Sequence, residues 1–155
     1  MSKEPGFDLV AAHKYFSTFC FNSAWDLMDK SERTAAEDEE MLRLSLASTW
    51  HWSQREDCTQ ANLSVGYWQT SRIYATLGQA DNARRHGQLS LDASQGEGVG
   101  PFYLGYAYEA LARAESVAGN RAKMEGYLAE ARRAADQVSD PDWQKPLLDD
   151  LDTIQ

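Results

Sequence analysis

The tripeptides Leu77-Gly78-Gln79 and Ala118-Gly119-Asn120 lie at equivalent places in two similar parts of the sequence, 41 residues apart (119 minus 78). Glycine adopts the left-handed backbone conformation that ends many helices at little energetic cost. On both sides of each glycine, apolar residues recur with the spacing of an α-helix. Each glycine is therefore predicted to end one helix and to open an antiparallel partner.

Capping residues and a glycine-rich loop predict the bounds of further helices. Thr34-Ala35-Ala36-Glu37 has the spacing of a capping box, and Asp140-Pro141 combines an N-cap residue with a proline at the first helical position. The glycine-rich segment 95–101 is the one clear loop. The sixth helix is expected to run from Arg121 to Val138. A fourth helix is expected over 80–93, although Gly87 weakens it by about 1 kcal/mol relative to alanine.

The first two predicted helices carry apolar stripes that are expected to face a shared core. In the first helix the stripe contains Tyr15, Phe16, Phe19, Cys20, Ala24 and Leu27. In the second helix it contains Leu42, Leu46, Thr49, Trp50 and Ser53. Because no strand-like alternation of useful length occurs, the spacing favours an all-α protein.

The two glycine-centred segments, over residues 61–138, resemble the tetratricopeptide repeat, a helix-turn-helix unit of about 34 residues. Small residues stand where the family keeps its helices close, namely Ser71, Ala83, Ala112 and Ala131. Large aromatic residues stand where the family packs them, namely Tyr67, Tyr74 and Tyr108. The segment departs from the family pattern at Met124, which replaces a small residue, and at Glu115, which replaces a large one.

The resemblance implies one domain over residues 1–155, built as a right-handed stack of antiparallel helical hairpins. The expected hairpins span 8–54, 61–94 and 101–138, and a capping helix spans 141–153. About three repeats are needed to bury a continuous core, and a diverged first hairpin would complete that number. The chain is similar in this respect to small bacterial proteins of the same type.

The charge of the chain excludes some partners. The net charge is −9, with 24 acidic and 15 basic side chains, so no basic surface is expected for nucleic acid or for anionic membranes. No apolar run has the length of a membrane span, and Met-Ser-Lys-Glu-Pro-Gly lacks a hydrophobic signal segment. With Cys20 and Cys58 expected to be reduced, a cytoplasmic location is predicted.

In the tetratricopeptide family, the first helix of each hairpin lines a concave groove. The matching positions here are Val65, Trp68, Arg72, Ala75, Thr76, Tyr106, Glu109, Arg113, Ser116 and Val117. Arginine forks bind carboxylates and aromatic rings supply rigid apolar area, so this wall suits a peptide with acidic and apolar groups. Equally, Arg72, Glu109 and Arg113 can pair with one another across packed helices, and the sequence leaves both interpretations open.

Around His51 the sequence is Thr49-Trp50-His51-Trp52-Ser53, with two tryptophans beside a histidine near a helix end. His51 is interpreted either as a proton-transfer or ligand-binding group, or as a packing residue at a helix C-terminus. His13, His51 and His86 lie on separate predicted helices without metal-ligand spacing, so no metal is expected. No catalytic residue and no cofactor site is predicted.

Three hypotheses on function follow. The first is a non-enzymatic scaffold that binds a protein or peptide segment in the groove at Trp68, Arg72, Tyr106, Glu109 and Arg113. The second is a small-molecule sensor or enzyme with a pocket around His51, Trp52 and Trp68, in which a carboxylate or hydroxyl lies within reach of His51. The third is a protein that associates into a homodimer through an uncovered helix face.

Overall fold

A computed structural model describes residues 6–155, which form helices and connecting turns without a strand. The helices are α1 (Leu9–Met28), α2 (Ala35–Ser53), α3 (Gln60–Thr76), α4 (Ala80–Ser94), α5 (Pro101–Val117), α6 (Arg121–Ala135) and α7 (Pro141–Leu151). Residues 1–5, which hold most of the N-terminus predicted to lack a signal segment, lie outside the described residues. None of the helices in 6–155 combines the length and apolarity that crossing a membrane requires.

The chain forms two compact units, one ending at Thr59 and one spanning Gln60–Gln155. In the first unit, α1 packs against α2. In the second unit, α3 packs against α4 and α5 against α6, α5 also contacts α3 and α4, and α7 lies on α5 and α6. The all-α class is therefore confirmed, whereas the right-handed stack of three hairpins over 1–155 stays a prediction.

The two glycine turns have the same geometry. Gly78 has φ +73° and Gly119 has φ +72°. The N–H groups of Gln79 and Asn120 donate to the carbonyl oxygens five residues earlier, at 2.8 and 2.9 Å. The glycine N–H groups donate to the carbonyls three residues earlier, both at 3.0 Å. This is the Schellman arrangement, and it confirms that each glycine ends one helix and leads into the next.

The predicted helix starts are confirmed by their caps. The N–H of Glu37 donates to Thr34 Oγ1 at 3.2 Å, while the N–H of Thr34 donates to Glu37 Oε2 at 2.8 Å. Asp140 accepts from the N–H of Asp142 at 2.9 Å. The predicted C-terminal end of the sixth helix was wrong, because α6 ends at Ala135 and not at Val138. The chain turns there, the N–H of Val138 donating to the carbonyl of Ala135.

Small residues lie where the helices meet, as the resemblance implied. All four predicted small contact residues, Ser71, Ala83, Ala112 and Ala131, are completely buried. Ser71 Oγ donates to the backbone carbonyl of Ala83 at 2.7 Å, joining α3 to α4. Further along the same two helices, Ser90 Oγ donates to the carbonyl of Ser64 at 2.9 Å. Because short hydroxyl side chains reach the neighbouring backbone, the two helices approach closely.

The apolar stripes predicted for the first two helices are largely wrong. Tyr15, Phe16, Phe19, Leu46 and Trp50 are between 40% and 58% exposed. The buried residues of α1 and α2 are instead Ser17, Cys20, Ala24, Met41, Ser45 and Ser48. Ser48 Oγ donates to the carbonyl of Ser17 at 2.7 Å, so the helices meet along their small residues. Of the predicted stripes, only Cys20 and Ala24 are buried.

Structural explanations exist for Glu115, which departs from the repeat pattern, and for Gly87, which weakens α4. Glu115 is buried, but its carboxylate accepts two hydrogen bonds from the Arg84 guanidinium, at 2.7 and 3.1 Å. These bonds from Arg84 hold the pKa of Glu115 below its usual value. Gly87 lies against α5, where an added Cβ would stand 3.0 Å from Leu111 Cδ2. The glycine that weakens α4 therefore allows α4 and α5 to pack closely.

Candidate functional site

The predicted groove residues of the second unit converge on one buried carboxylate. Glu109 of α5 is completely buried. Its Oε2 accepts a hydrogen bond from Trp68 Nε1 at 2.8 Å, and its Oε1 accepts from Arg113 Nε at 2.7 Å. Arg72 Nη1 lies 3.8 Å from the same Oε1. Trp68 and Arg72 are on α3, so Glu109 connects the first helices of two hairpins.

A second carboxylate, which the sequence did not reveal, enters from α7. Asp150 Oδ1 accepts from Arg72 Nη1 at 3.1 Å, and Asp150 Oδ2 accepts from the Tyr106 hydroxyl at 3.0 Å. Burial and the Asp150 carboxylate raise the pKa of the Tyr106 hydroxyl. Arg113 Nη2 reaches the same segment and donates to Thr153 Oγ1 at 2.8 Å. The predicted wall is thus closed on one side by α7 and the residues after it.

Charge is balanced within this cluster, which contains the two arginines Arg72 and Arg113 and the two acids Glu109 and Asp150. The interpretation in which Arg72, Glu109 and Arg113 pair with one another is the one that the structure shows. Buried ion pairs are favourable only when their hydrogen bonds are satisfied, and here Trp68 and Tyr106 supply two of the bonds. Both arginine guanidinium groups are therefore paired with carboxylates of the protein itself.

Not every predicted groove position lines an accessible surface. Ala75 is buried in a small core cluster with Ala83 and Ala114, so its prediction as a lining residue was wrong. Its helical position turns it towards α4 and α5 instead. Thr76 and Val117 are exposed at the ends of their helices. Ser116 Oγ donates to the backbone carbonyl of Gln155 at 2.6 Å, again within the C-terminal segment.

Beside the charged cluster lies an apolar hollow between α3 and α5. Its volume is about 140 Å³, and its lining consists of Ser64, Val65, Trp68, Phe102, Tyr103 and Tyr106. Trp68 and Tyr106 meet edge to face with their ring centroids 4.9 Å apart, and Phe102 meets Tyr106 at 5.0 Å. Because Trp68 and Tyr106 are also bonded to Glu109 and Asp150, the hollow has walls held in place by the charged cluster.

His51 and Trp52 belong to the first unit. The Nδ1 atoms of His51 and His13 lie 2.9 Å apart, which is hydrogen-bonding distance. The rings of Phe16 and Trp50 surround His51, with centroids at 5.4 and 4.8 Å. Trp52 lies beneath the guanidinium of Arg55, whose central carbon is 3.8 Å from the ring centroid. The neighbour that bonds His51 is therefore another imidazole, and not the carboxylate or hydroxyl that the sensor or enzyme hypothesis predicts.

We expect the contact with His13 to alter the titration of His51. Burial and the neighbouring His13 lower the pKa of His51 below its usual 6.5. Since the folded state favours neutral His51, the unfolded chain binds more protons just below pH 6.5. Stability from this group is therefore present above pH 6.5 and lost as pH falls through that window. In an NMR titration, we expect a midpoint below 6.5 for His51 and a higher midpoint in His13→Asn.

His86 is an internal control for that titration. Burial is also the main cause that lowers the pKa of His86, but its hydrogen-bonding neighbour is the backbone carbonyl of Asn82. The His13→Asn change should leave its midpoint unmoved. An unchanged His51 midpoint in His13→Asn would show that the two rings do not interact in solution.

Residues capable of nucleophilic or metal chemistry are dispersed. Within the described part of the chain, no three His, Cys, Asp or Glu side chains are grouped so that they could hold a metal ion. Burial raises the pKa of the Cys58 thiol. Burial likewise raises the pKa of the Cys20 thiol. A raised thiol pKa opposes formation of the nucleophilic thiolate at neutral pH.

No protein-family description, no curated protein and no solved structure matches the chain.

Proposed function

We propose that the protein is a non-enzymatic interaction module whose second unit belongs to the tetratricopeptide-like class. Two observations support the class. The turns at Gly78 and Gly119 have the same geometry, and the four family-type small residues are buried between helices. In repeat proteins of this kind, adjacent hairpins present their first helices on a common side, and such surfaces bind extended segments of partner proteins.

The apolar hollow between α3 and α5 is the proposed contact for that partner segment. A volume of about 140 Å³ is close to the roughly 150 Å³ of an engineered protein cavity that accepts benzene. One leucine, isoleucine or phenylalanine side chain of the partner would fill it. Rigid aromatic walls lower the entropy cost of binding, because they need no ordering when the partner arrives.

The charged cluster supports this function indirectly. Its arginines are paired with Glu109 and Asp150, so we assign recognition to the apolar hollow and not to exposed arginine forks. The cluster fixes Trp68 and Tyr106, which form two walls of the hollow. The sequence suggested a peptide with acidic and apolar groups as one of two open interpretations. Because the arginines are paired, we propose that the apolar group of the partner segment is its anchor.

A displayed library of short peptides would test the proposal. Peptides selected on the wild-type chain should share an apolar anchor residue. Val65→Glu places a charge at the edge of the hollow and should weaken their binding at least tenfold. The matched control is Ala129→Glu, which adds the same charge to an exposed position of α6.

Phe102→Ala provides a second variant, since it enlarges the hollow without adding charge. Circular dichroism would verify that each variant keeps its helices. If the selected peptides bound Val65→Glu and Phe102→Ala as tightly as the wild-type chain, the hollow would not be their binding site and the proposal would be wrong.

A further inference from the structure

One side of the α1–α2 hairpin carries a group of exposed apolar side chains. We call it the aromatic face, and it consists of Leu9, Tyr15, Phe16, Phe19, Leu46 and Trp50. Tyr15 and Phe19 stack with their centroids 5.4 Å apart, and Phe16 meets Tyr15 at 5.1 Å. The face crosses from α1 to α2, because Phe16 contacts His51 and Trp50 contacts His13.

Helical spacing places the two leucines on the same side. Leu9 lies one turn before His13, and Leu46 lies one turn before Trp50, so each extends a stripe along its helix. The core between α1 and α2 does not use these side chains, since it is built from small residues such as Ser17, Ala24 and Ser45. Apart from the contacts of Phe16 with His51 and of Trp50 with His13, the face therefore lies outside the core that holds the hairpin together.

Acidic residues are missing from this part of the sequence. The chain contains 24 aspartates and glutamates, yet residues 9–25 and 41–55 contain none. The acids of the hairpin lie at its two ends, between Asp26 and Glu40 at the turn and at Asp8, Glu56 and Asp57 at the other end. Two hairpins placed antiparallel, face against face, would keep these acids at the ends of the interface, outside the apolar face. Electrostatic repulsion between two copies of this negatively charged protein would then be small at the face.

The area of the face matches the requirement of a modest dimer. Six apolar side chains that are each about half exposed contribute roughly 100 Å² apiece. Two copies would together bury on the order of 1,200 Å², which exceeds the roughly 1,000 Å² expected of a biological interface. An exposed apolar patch of this size marks an interaction surface on a protein of ordinary composition.

We propose that the aromatic face is the interface of a symmetric homodimer in which two α1–α2 hairpins form a four-helix bundle. In an isologous pair, each residue of the face contacts the same face of the partner subunit. Packed pairs of helical hairpins are a common way to bury such faces. The proposal concerns the first unit and is independent of the hollow between α3 and α5.

Sedimentation equilibrium of the full chain would test the dimer. The wild-type chain should populate a dimer at micromolar concentration. Phe19→Glu on α1 and Trp50→Glu on α2 should each raise the dimer dissociation constant at least tenfold, because symmetry places two new charges in one apolar interface. The matched control is Trp143→Glu, since Trp143 is a tryptophan of similar exposure on α7. It should leave the constant unchanged.

Other outcomes would overturn the proposal. One such outcome is a wild-type chain that stays monomeric up to about 100 micromolar. Another is a dimer that persists in both Phe19→Glu and Trp50→Glu. A monomer that cosediments with vesicles of phosphatidylcholine and phosphatidylserine would assign the face to a lipid surface instead. Since the two substitutions lie on different helices, one variant remains informative if the other fails to fold.

Discussion

Replacing Glu109 with alanine should destabilise the protein by about 3–5 kcal/mol. The change removes the carboxylate that bonds Trp68 and Arg113 and that lies near Arg72. Both arginines would then face each other with only Asp150 to balance them, and the Trp68 N–H would lose its acceptor. The midpoint of denaturant-induced unfolding measures this loss. Glu109→Gln should cost less, because the amide oxygen still accepts a hydrogen bond.

Glu125→Ala is the control for this change. It removes the same charge from a glutamate that pairs with Arg121 on the surface of α6, where both side chains are more than half exposed. Exposed ion pairs contribute little, so its effect should stay within about 0.5 kcal/mol. A loss below 1 kcal/mol in Glu109→Ala would mean that the buried cluster is not needed for stability.

Replacing Leu147 with alanine should cost about 2–5 kcal/mol and should loosen α7. Leu147 is completely buried in a core formed with Ala112, Met124 and Leu151. It lies against Gly105 of α5, so closely that an added Cβ on the glycine would stand 2.5 Å from Leu147 Cδ2. Truncation leaves a cavity at the contact that holds α7 on α5. Hydrogen exchange of α7 amides, together with the unfolding midpoint, measures both effects.

Lys145→Ala controls for the alanine itself. Lys145 is on the same helix and forms an exposed ion pair with Asp149, so its loss should change stability by less than about 0.5 kcal/mol. Faster exchange confined to α7 in Leu147→Ala would agree with a detachable capping helix. If α7 kept the wild-type protection in Leu147→Ala, other contacts such as those of Asp150 would be sufficient to hold it.

Local chemistry made much of the helical framework predictable. The conformation of Gly78 and Gly119 follows from the preference of glycine for positive φ, and the cap at Thr34 follows from the spacing of its hydroxyl and the Glu37 carboxylate. The burial of Ser71 and its family counterparts followed from the repeat resemblance. Each of these predictions depends on residues close in sequence or on a regular pattern, and all of them are confirmed.

The register of the first hairpin could not be predicted in the same way. Apolar periodicity gives weight to large side chains, so Phe16 and Trp50 were expected inside. The helices instead meet along Ser17 and Ser48, because a serine hydroxyl can bond a backbone carbonyl on the neighbouring helix. The two faces of α1 are both compatible with helical spacing, and only the contact with α2 decides between them.

The candidate site was partly predictable. The family positions brought Trp68, Arg72, Tyr106, Glu109 and Arg113 together, as the structure shows, although their role in binding stays a prediction. Asp150 could not be predicted as part of the site, because it lies 37 residues beyond Arg113 and reaches the cluster through the packing of α7. Similarly, Glu115 departs from the repeat pattern in the sequence, but its counter-ion Arg84 lies on another helix.

The interhelical hydrogen bonds of the serines limit how the two helices of a hairpin can shift against each other. A contact between apolar side chains allows two helices to shift along each other. The hydroxyl of Ser48 or Ser71, in contrast, must meet one particular carbonyl on the neighbouring helix. A shift of either helix by one residue along its axis would leave that hydroxyl buried without its acceptor. These interhelical serine bonds therefore fix the axial register of each helix against its neighbour.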